Sequence, residues 1–208
     1  MKYPRIFLVL LLVMFFSRHG RAEDTVTGKI IAPGEMTARD KEMVRFAKQA
    51  AAECSKVLED AVDRGIKSEK ELFSTLYFPI LPLTNPPRFT TFYDDYADES
   101  IRPVLDRYLD KDNNIVTVIL VDINGYLPTH NTVFSQPLTG NPAVDILKSR
   151  AKRISNSLTA FRAAKNRAEF LLQIYYRDTG EILTDVSVPV YVKKKHWGAL
   201  RIAYPRDK

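Results

Sequence analysis

Between Ile146 and Ala168 the chain carries Lys148, Arg150, Lys152, Arg153, Arg162, Lys165 and Arg167 and not one acidic residue. Such a stretch makes a local positive field that attracts anions, and a guanidinium grips a carboxylate through two parallel hydrogen bonds. The alternative is a solvated basic helix face. Arg150 and Arg153 stand three apart, hence on one face of a helix, and Ile154 beside them points to a face that is partly buried. A buried guanidinium requires an anionic partner, from the protein or from a ligand. Upstream, Tyr126-Leu-Pro128-Thr-His130-Asn131 brings a phenol, an imidazole and an amide into one loop directly after an apolar run, a good place for ligand hydrogen bonds. His130 reads equally well as a satisfied structural histidine. Downstream, Gln173 and Tyr175 share one face of a strand pattern, and Asp185 interrupts the next, where a carboxylate must find a backbone amide, an arginine or a ligand ammonium as donor. Trp197, the only tryptophan, either roofs a pocket or fills core.

Other chemistries lack their residues. Asp110-Lys-Asp112-Asn-Asn114 imitates the start of a calcium loop, but Ile115 stands where glycine is needed and Val121 where a bidentate glutamate is needed, so it reads as a solvated turn. His130 and His196 are the only histidines after residue 22, and no HExxH or cysteine cluster accompanies them, so no metal site is expected. There is no Gly-rich phosphate loop, no GxSxG and no CxxCH, and no cofactor is expected. Asp94-Asp95 and Asp98-Glu99 read as solvated acidic pairs. The reading from these residues is a non-catalytic site for a small anion. A second reading is an exported enzyme with His130 as general base, working with Asp185 or on an arginine-bound substrate.

The elements that must position these groups follow from pattern and punctuation. Lys2 and Arg5 precede an uninterrupted apolar run of 11 residues, Ile6 to Phe16, and Gly20-Arg21-Ala22 offers a cleavage site. The run falls short of the ~20 residues that span a bilayer. Residues 1–22 are therefore expected to be a signal peptide, and removing Lys2, Arg5, Arg18 and Arg21 takes the formal net charge from +6 to +2. That near-neutral mature chain argues against a nucleic-acid partner and for a periplasmic or secreted location. Residues 23–36 read as a flexible leader. Thr37 and Asp40 open a helical pattern over 37–66, with a stripe of Met43, Ala47, Ala50, Cys54, Val57 and Ala61. The stripe suits packing on its own domain or a homodimer through this helix. Cys54 lies on it and reads as a buried, inert thiol. After a proline-rich stretch around Pro79–Pro87, a buried strand runs from Ile115 to Val121, part of Ala143 to Ala164 is helical, and three strands at 170–177, 182–192 and 196–204 form a meander with tight turns. The fold class is α+β with an antiparallel sheet.

Val121-Asp-Ile-Asn-Gly-Tyr-Leu-Pro-Thr-His-Asn131 resembles a stretch of the extracytoplasmic Cache/PAS-like sensor domains of bacterial methyl-accepting chemotaxis proteins. The resemblance continues in order through Ser135-Gln-Pro137, Arg150-Ala-Lys-Arg-Ile154, Phe170 to Asp178, Asp185 to Val190 and His196 to Tyr204, and upstream through Leu72-Phe73, Tyr77, Pro79-Ile80 and Asn85-Pro86. It implies a central antiparallel sheet of about five strands with a long N-terminal helix, residues 67–208 forming the sensor domain, and a pocket for small carboxylates or amino acids over one sheet face. Carried onto this chain, the pocket residues are Tyr126, His130, Arg150, Arg153, Tyr175, Asp185 and Trp197. Haem-bearing relatives need the CxxCH that is missing here. A chemoreceptor would continue past Lys208 into a second membrane helix, a HAMP segment and a coiled coil, so the expectation is a stand-alone exported module that reports to a separate membrane receptor.

Overall fold

Ala38–Asp63 form the long helix α1, begun by a reciprocal cap: the Thr37 hydroxyl accepts from the Asp40 amide at 3.1 Å, and the Asp40 carboxylate accepts from the Thr37 amide at 2.8 Å. The computed structural model describes residues 28–176 and 180–206. The signal peptide expected at 1–22 lies outside the described residues. Among the described residues no helix is long and apolar enough to cross a membrane.

After α1 come α2 (Glu69–Leu72), the two-residue strands β1 (Phe78–Pro79) and β2 (Phe89–Thr90), and α3 (Asp94–Tyr96), which passes through a π turn at Ala97–Ile101 into α4 (Arg102–Leu109). Strand β3 (Thr117–Asp122) is followed by a long excursion that includes α5 (Pro142–Lys148) and α6 (Leu158–Lys165), and then by β4 (Leu171–Tyr176), β5 (Ile182–Val192) and β6 (Lys195–Pro205). The sheet order is β3-β6-β5-β4, every pair antiparallel. The chain is thus α+β with a long N-terminal helix, and the sheet has four strands where about five were expected. The fifth position is partly filled by residues 28–31, inside the stretch taken as a leader. They pair with the outer edge of β4, with Ile31 N on Leu172 O at 2.9 Å and Ile174 N on Lys29 O at 2.9 Å.

Alternation gives the sheet two different faces. Val118, Leu120, Leu172, Val186, Val188, Leu200, Ile202 and Tyr204 face α1 and form the main core with Met43, Ala47, Ala50, Cys54 and Leu58. The small residues of the α1 stripe bring that helix close to β5 and β6, so the stripe is buried within its own domain. Of the two readings of that stripe, the structure takes packing on its own domain. Burial pushes the Cys54 thiol far above its ordinary range, which keeps it protonated. The opposite face carries Thr117 and Ile119 on β3, Ala199, Arg201 and Ala203 on β6, Asp185 on β5, and Gln173 and Tyr175 on β4.

One irregularity decides where Trp197 goes. Val190 pairs with Gly198 but Tyr191 pairs with His196, so Trp197 is an extra residue on β6. The bulge turns the indole to the α1 side, where its N–H donates to Leu72 O at 2.7 Å and its ring meets Tyr93 edge-on.

Candidate functional site

The face away from α1 is covered in part by α6, which buries Thr159, Ala160, Ala163 and Ala164, and in part by the excursion between β3 and α6. A cavity of about 450 Å³ lies between that excursion and the sheet. Thr117, Ile119, Asp185, Arg201 and Ala203 line it from the sheet, and Leu127, His130, Arg150, Arg153 and Ile154 from the excursion.

The excursion holds its shape because its two arms are hydrogen-bonded to each other. Leu127 N bonds Arg153 O at 2.9 Å, Lys152 N bonds Leu127 O at 2.8 Å, and Ser155 N bonds Gly125 O at 3.0 Å. Further out, Arg150 N bonds Phe134 O at 2.7 Å. The turn that starts this ladder uses Gly125 at φ 79°, where a β-carbon would also lie 2.6 Å from Ser155 O. Lys152 adopts φ 68°, and its ammonium donates to Pro128 O at 2.5 Å and to Asp98 at 2.8 Å.

Arg150 and Arg153 do not share a helix face, because α5 ends at Lys148 and both follow it in irregular backbone. What gathers them is the end of that helix. Arg153 donates to Asp145 O at 3.1 Å, Ile146 O at 3.3 Å and Ser149 O at 2.6 Å, and Arg150 donates to Ile146 O at 3.4 Å. Carbonyls at a helix C-terminus carry partial negative charge and attract cations. The two guanidiniums are therefore anchored by backbone at the rim of the cavity.

On the sheet, Arg201 Nε donates to both oxygens of Asp185, at 3.0 and 3.3 Å, and Gln173 Nε2 donates to Asp185 Oδ2 at 3.1 Å and to Thr159 O at 2.8 Å. Asp185 is 1% and Arg201 6% exposed, so this is a buried ion pair. Burial works against the Arg201 charge, and the adjoining Asp185 carboxylate and Tyr175 together outweigh it, so the guanidinium is held above its ordinary range. Gln173 Oε1 and Ser187 Oγ are buried acceptors without a hydrogen-bond partner among the described residues. His130, also buried, accepts from the Asn131 amide at 2.8 Å on Nδ1 and packs edge-on against Phe134.

Five of the seven residues singled out in the sequence, His130, Arg150, Arg153, Tyr175 and Asp185, line this one cavity. Tyr126 and Trp197 do not, which corrects their expected place in the pocket. The Tyr126 hydroxyl donates to Asp94 at 2.9 Å and its ring packs on Tyr77 and Tyr93, on the other side of the ladder. Trp197 is turned away by the β6 bulge. Asp94 is 3% exposed and not a solvated acid; Asp95 is the solvated member of that pair. Burial raises the Asp94 carboxyl above its usual range, against the opposing pull of Lys152 and Tyr126. Asp110–Asn114 is a turn, with Asp112 Oδ1 accepting from the Asn114 amide at 2.8 Å, and among the described residues no cluster of three or more His, Cys, Asp or Glu could hold a metal. The residue missed was Arg201. The argument that an aspartate in an apolar strand needs a donor applies in reverse to an arginine between Leu200 and Ile202.

No protein-family model matches the chain, and no curated protein matches it. Among solved structures, the sensory domain of the Campylobacter jejuni chemoreceptor Tlp3 is similar at 14% identity and a TM-score of 0.38, covering 79% of this chain and 60% of that one. The ligand-binding domain of the same chemoreceptor in complex with L-norvaline is similar at 14% identity and a TM-score of 0.40, covering 84% of this chain and 63% of that one. Its complex with L-valine gives 12% identity, a TM-score of 0.38, and 84% and 64% coverage. This chain therefore spans less than two thirds of the length of those domains.

Proposed function

We propose that this chain is a non-catalytic, extracytoplasmic sensor module that captures a small anion, a carboxylate or an amino acid, in the cavity beside the sheet. The observation that carries the reading is the convergence of Arg150, Arg153 and Arg201 on one cavity large enough for a small molecule and furnished with His130 and Tyr175. The resemblance over residues 72–204 to sensor domains of chemotaxis proteins supports it independently. In this proposal residues 1–22 are an export signal, and residues 67–208 are the sensor domain. Binding is reported through β5 and β6 to α1, and from α1 to a membrane receptor or to a second copy.

The test is a thermal-shift screen of the chain from residue 23 onward against small carboxylates and amino acids. A ligand specific for the folded state at 100 times its Kd adds about 2.7 kcal/mol and raises Tm by several degrees. Arg153→Ala should abolish the shift given by the best ligand, because it removes a rim cation. A screen without any shift overturns the proposal. Turnover of a screened compound, lost on His130→Ala with the fold intact, replaces it with the enzyme reading.

A further inference from the structure

Among the described residues lining the cavity one carries a carboxylate, Asp185, and the structure shows what that carboxylate is doing. Both its oxygens receive Arg201 Nε, and Oδ2 also receives Gln173 Nε2. An ammonium group leaving water needs a counter-ion or several strong acceptors. Asp185 is already paired with a buried cation, and bringing an ammonium onto it means either breaking that pair or placing a second cation beside Arg201. Breaking that pair leaves Arg201 with the ligand's own carboxylate as its sole counter-ion, and keeping it sets the ammonium beside a buried guanidinium, so an ammonium enters at a cost either way. The spare acceptor in the same wall, Gln173 Oε1, is uncharged and belongs to a residue that does not line the cavity.

The same pair has an opposite consequence for anions. Arg201 uses only Nε on Asp185; its two Nη groups, on a side chain that lines the cavity, make no hydrogen bond to any described residue. They form the two-pronged donor edge that matches a carboxylate. Asp185 fixes the guanidinium plane, so this edge is preorganised. The Arg150 and Arg153 guanidiniums, by contrast, donate to backbone carbonyls at the end of α5.

We infer that Arg201 seats the ligand's carboxylate and that the Asp185–Arg201 pair makes the cavity select acids without an α-ammonium group over the corresponding amino acids. This rests on the proposed function and narrows it. The ligand class is a small mono- or dicarboxylate, in which the carboxylates are the only charged groups.

Calorimetry with matched probes tests it: propionate against L-alanine, 3-methylbutanoate against L-valine, and succinate against L-aspartate. For every pair in which binding is measurable, the acid should bind about tenfold or more tightly than its amino acid, the ratio expected when an uncompensated charge is buried. Arg201→Gln should weaken the best acid by a similar factor. The double variant Asp185→Asn/Arg201→Gln covers the case in which Arg201→Gln alone does not fold, and it too should lose the acid. Tighter binding of an amino acid than of its acid, lost on Asp185→Asn, overturns this inference and leaves the proposed function standing. Acid binding indifferent to Arg201→Gln, or to the double variant, overturns the assigned seat. Absence of binding by all six probes removes the proposed function, and the inference with it.

Discussion

At the scale of single residues, the most constrained carboxylate outside the cavity is Asp122, at the end of β3. Its Oδ1 accepts from the amides of Asn124 at 2.8 Å and Tyr126 at 3.0 Å, which shapes the turn leading into the excursion. Its Oδ2 accepts from the hydroxyls of Tyr77 at 2.5 Å and Tyr93 at 3.0 Å. Burial raises the carboxyl above its ordinary range even against these four donors. The sign of the pH effect follows. A folded-state pKa above the unfolded value of about 3.9 means that the folded chain holds the proton better. The group's contribution to stability therefore falls as pH rises from the ordinary value to the raised one, and is constant above it. Asp122→Asn removes that dependence. Its amide oxygen still serves both backbone amides, and its NH2 group can donate to both phenol oxygens. The expected outcome is a variant that gains on the wild type in urea midpoint between pH 3.5 and 7, by about 1.4 kcal/mol for each unit by which the wild-type carboxyl is raised. A difference between the two proteins that stays flat over that range would show that Asp122 titrates normally.

At the scale of elements, the strand pair β3–β6 depends on one missing side chain. A β-carbon on Gly198 would lie 2.0 Å from Val121 O and 2.7 Å from the Asp122 α-carbon, so the two backbones touch where the bulge at Trp197 begins. Gly198→Ala should destabilise the fold by about 2–3 kcal/mol through forced separation of the strands, measured as a fall in the urea midpoint. A midpoint within experimental scatter of the wild type would mean that the bulge relaxes without cost. This contact also marks what was legible in the sequence. The helix at 38–63 and the meander of β4, β5 and β6 were readable because caps, periodicity and tight turns are local signals. The bulge is a matter of register between distant strands, and it alone carries Trp197 from the cavity face to the core face. The same holds for Arg150 and Arg153: their three-residue spacing suggested a helix, whereas α5 ends before them and the cavity rim is made by its carbonyls. Asp185's need for a donor was visible in the sequence, but its partner Arg201, 16 residues away on the neighbouring strand, was set by pairing register.

At the scale of the whole molecule, the sheet separates a closed face from an open one, and stability should be graded across it. β6 is flanked by β3 and β5 and packed by α1, while among the described residues β4 is bordered on its outer side only by residues 28–31. That border is close to balanced energetically. Its backbone hydrogen bonds, at 2.7, 2.9 and 2.9 Å, are worth about 1 kcal/mol each and burial of Ile31 about 2. Ordering four residues costs about 1–2 kcal/mol apiece. The edge should therefore open without global unfolding, and the Ile174 amide, which bonds Lys29 O, should exchange with deuterium far faster than the Ile202 amide in β6. β4 also carries Tyr175, which lines the cavity. A ligand that touches Tyr175 favours the state in which β4 is held in place, so addition of a binding acid should slow exchange at Ile174 more than at Ile202. Equal slowing at both amides would mean that the ligand stabilises only the molecule as a whole. Exchange at Ile174 already as slow as at Ile202 without ligand would mean that residues 28–31 are an integral strand, and the cavity would then be a rigid receptacle with no mobile edge through which occupancy is reported.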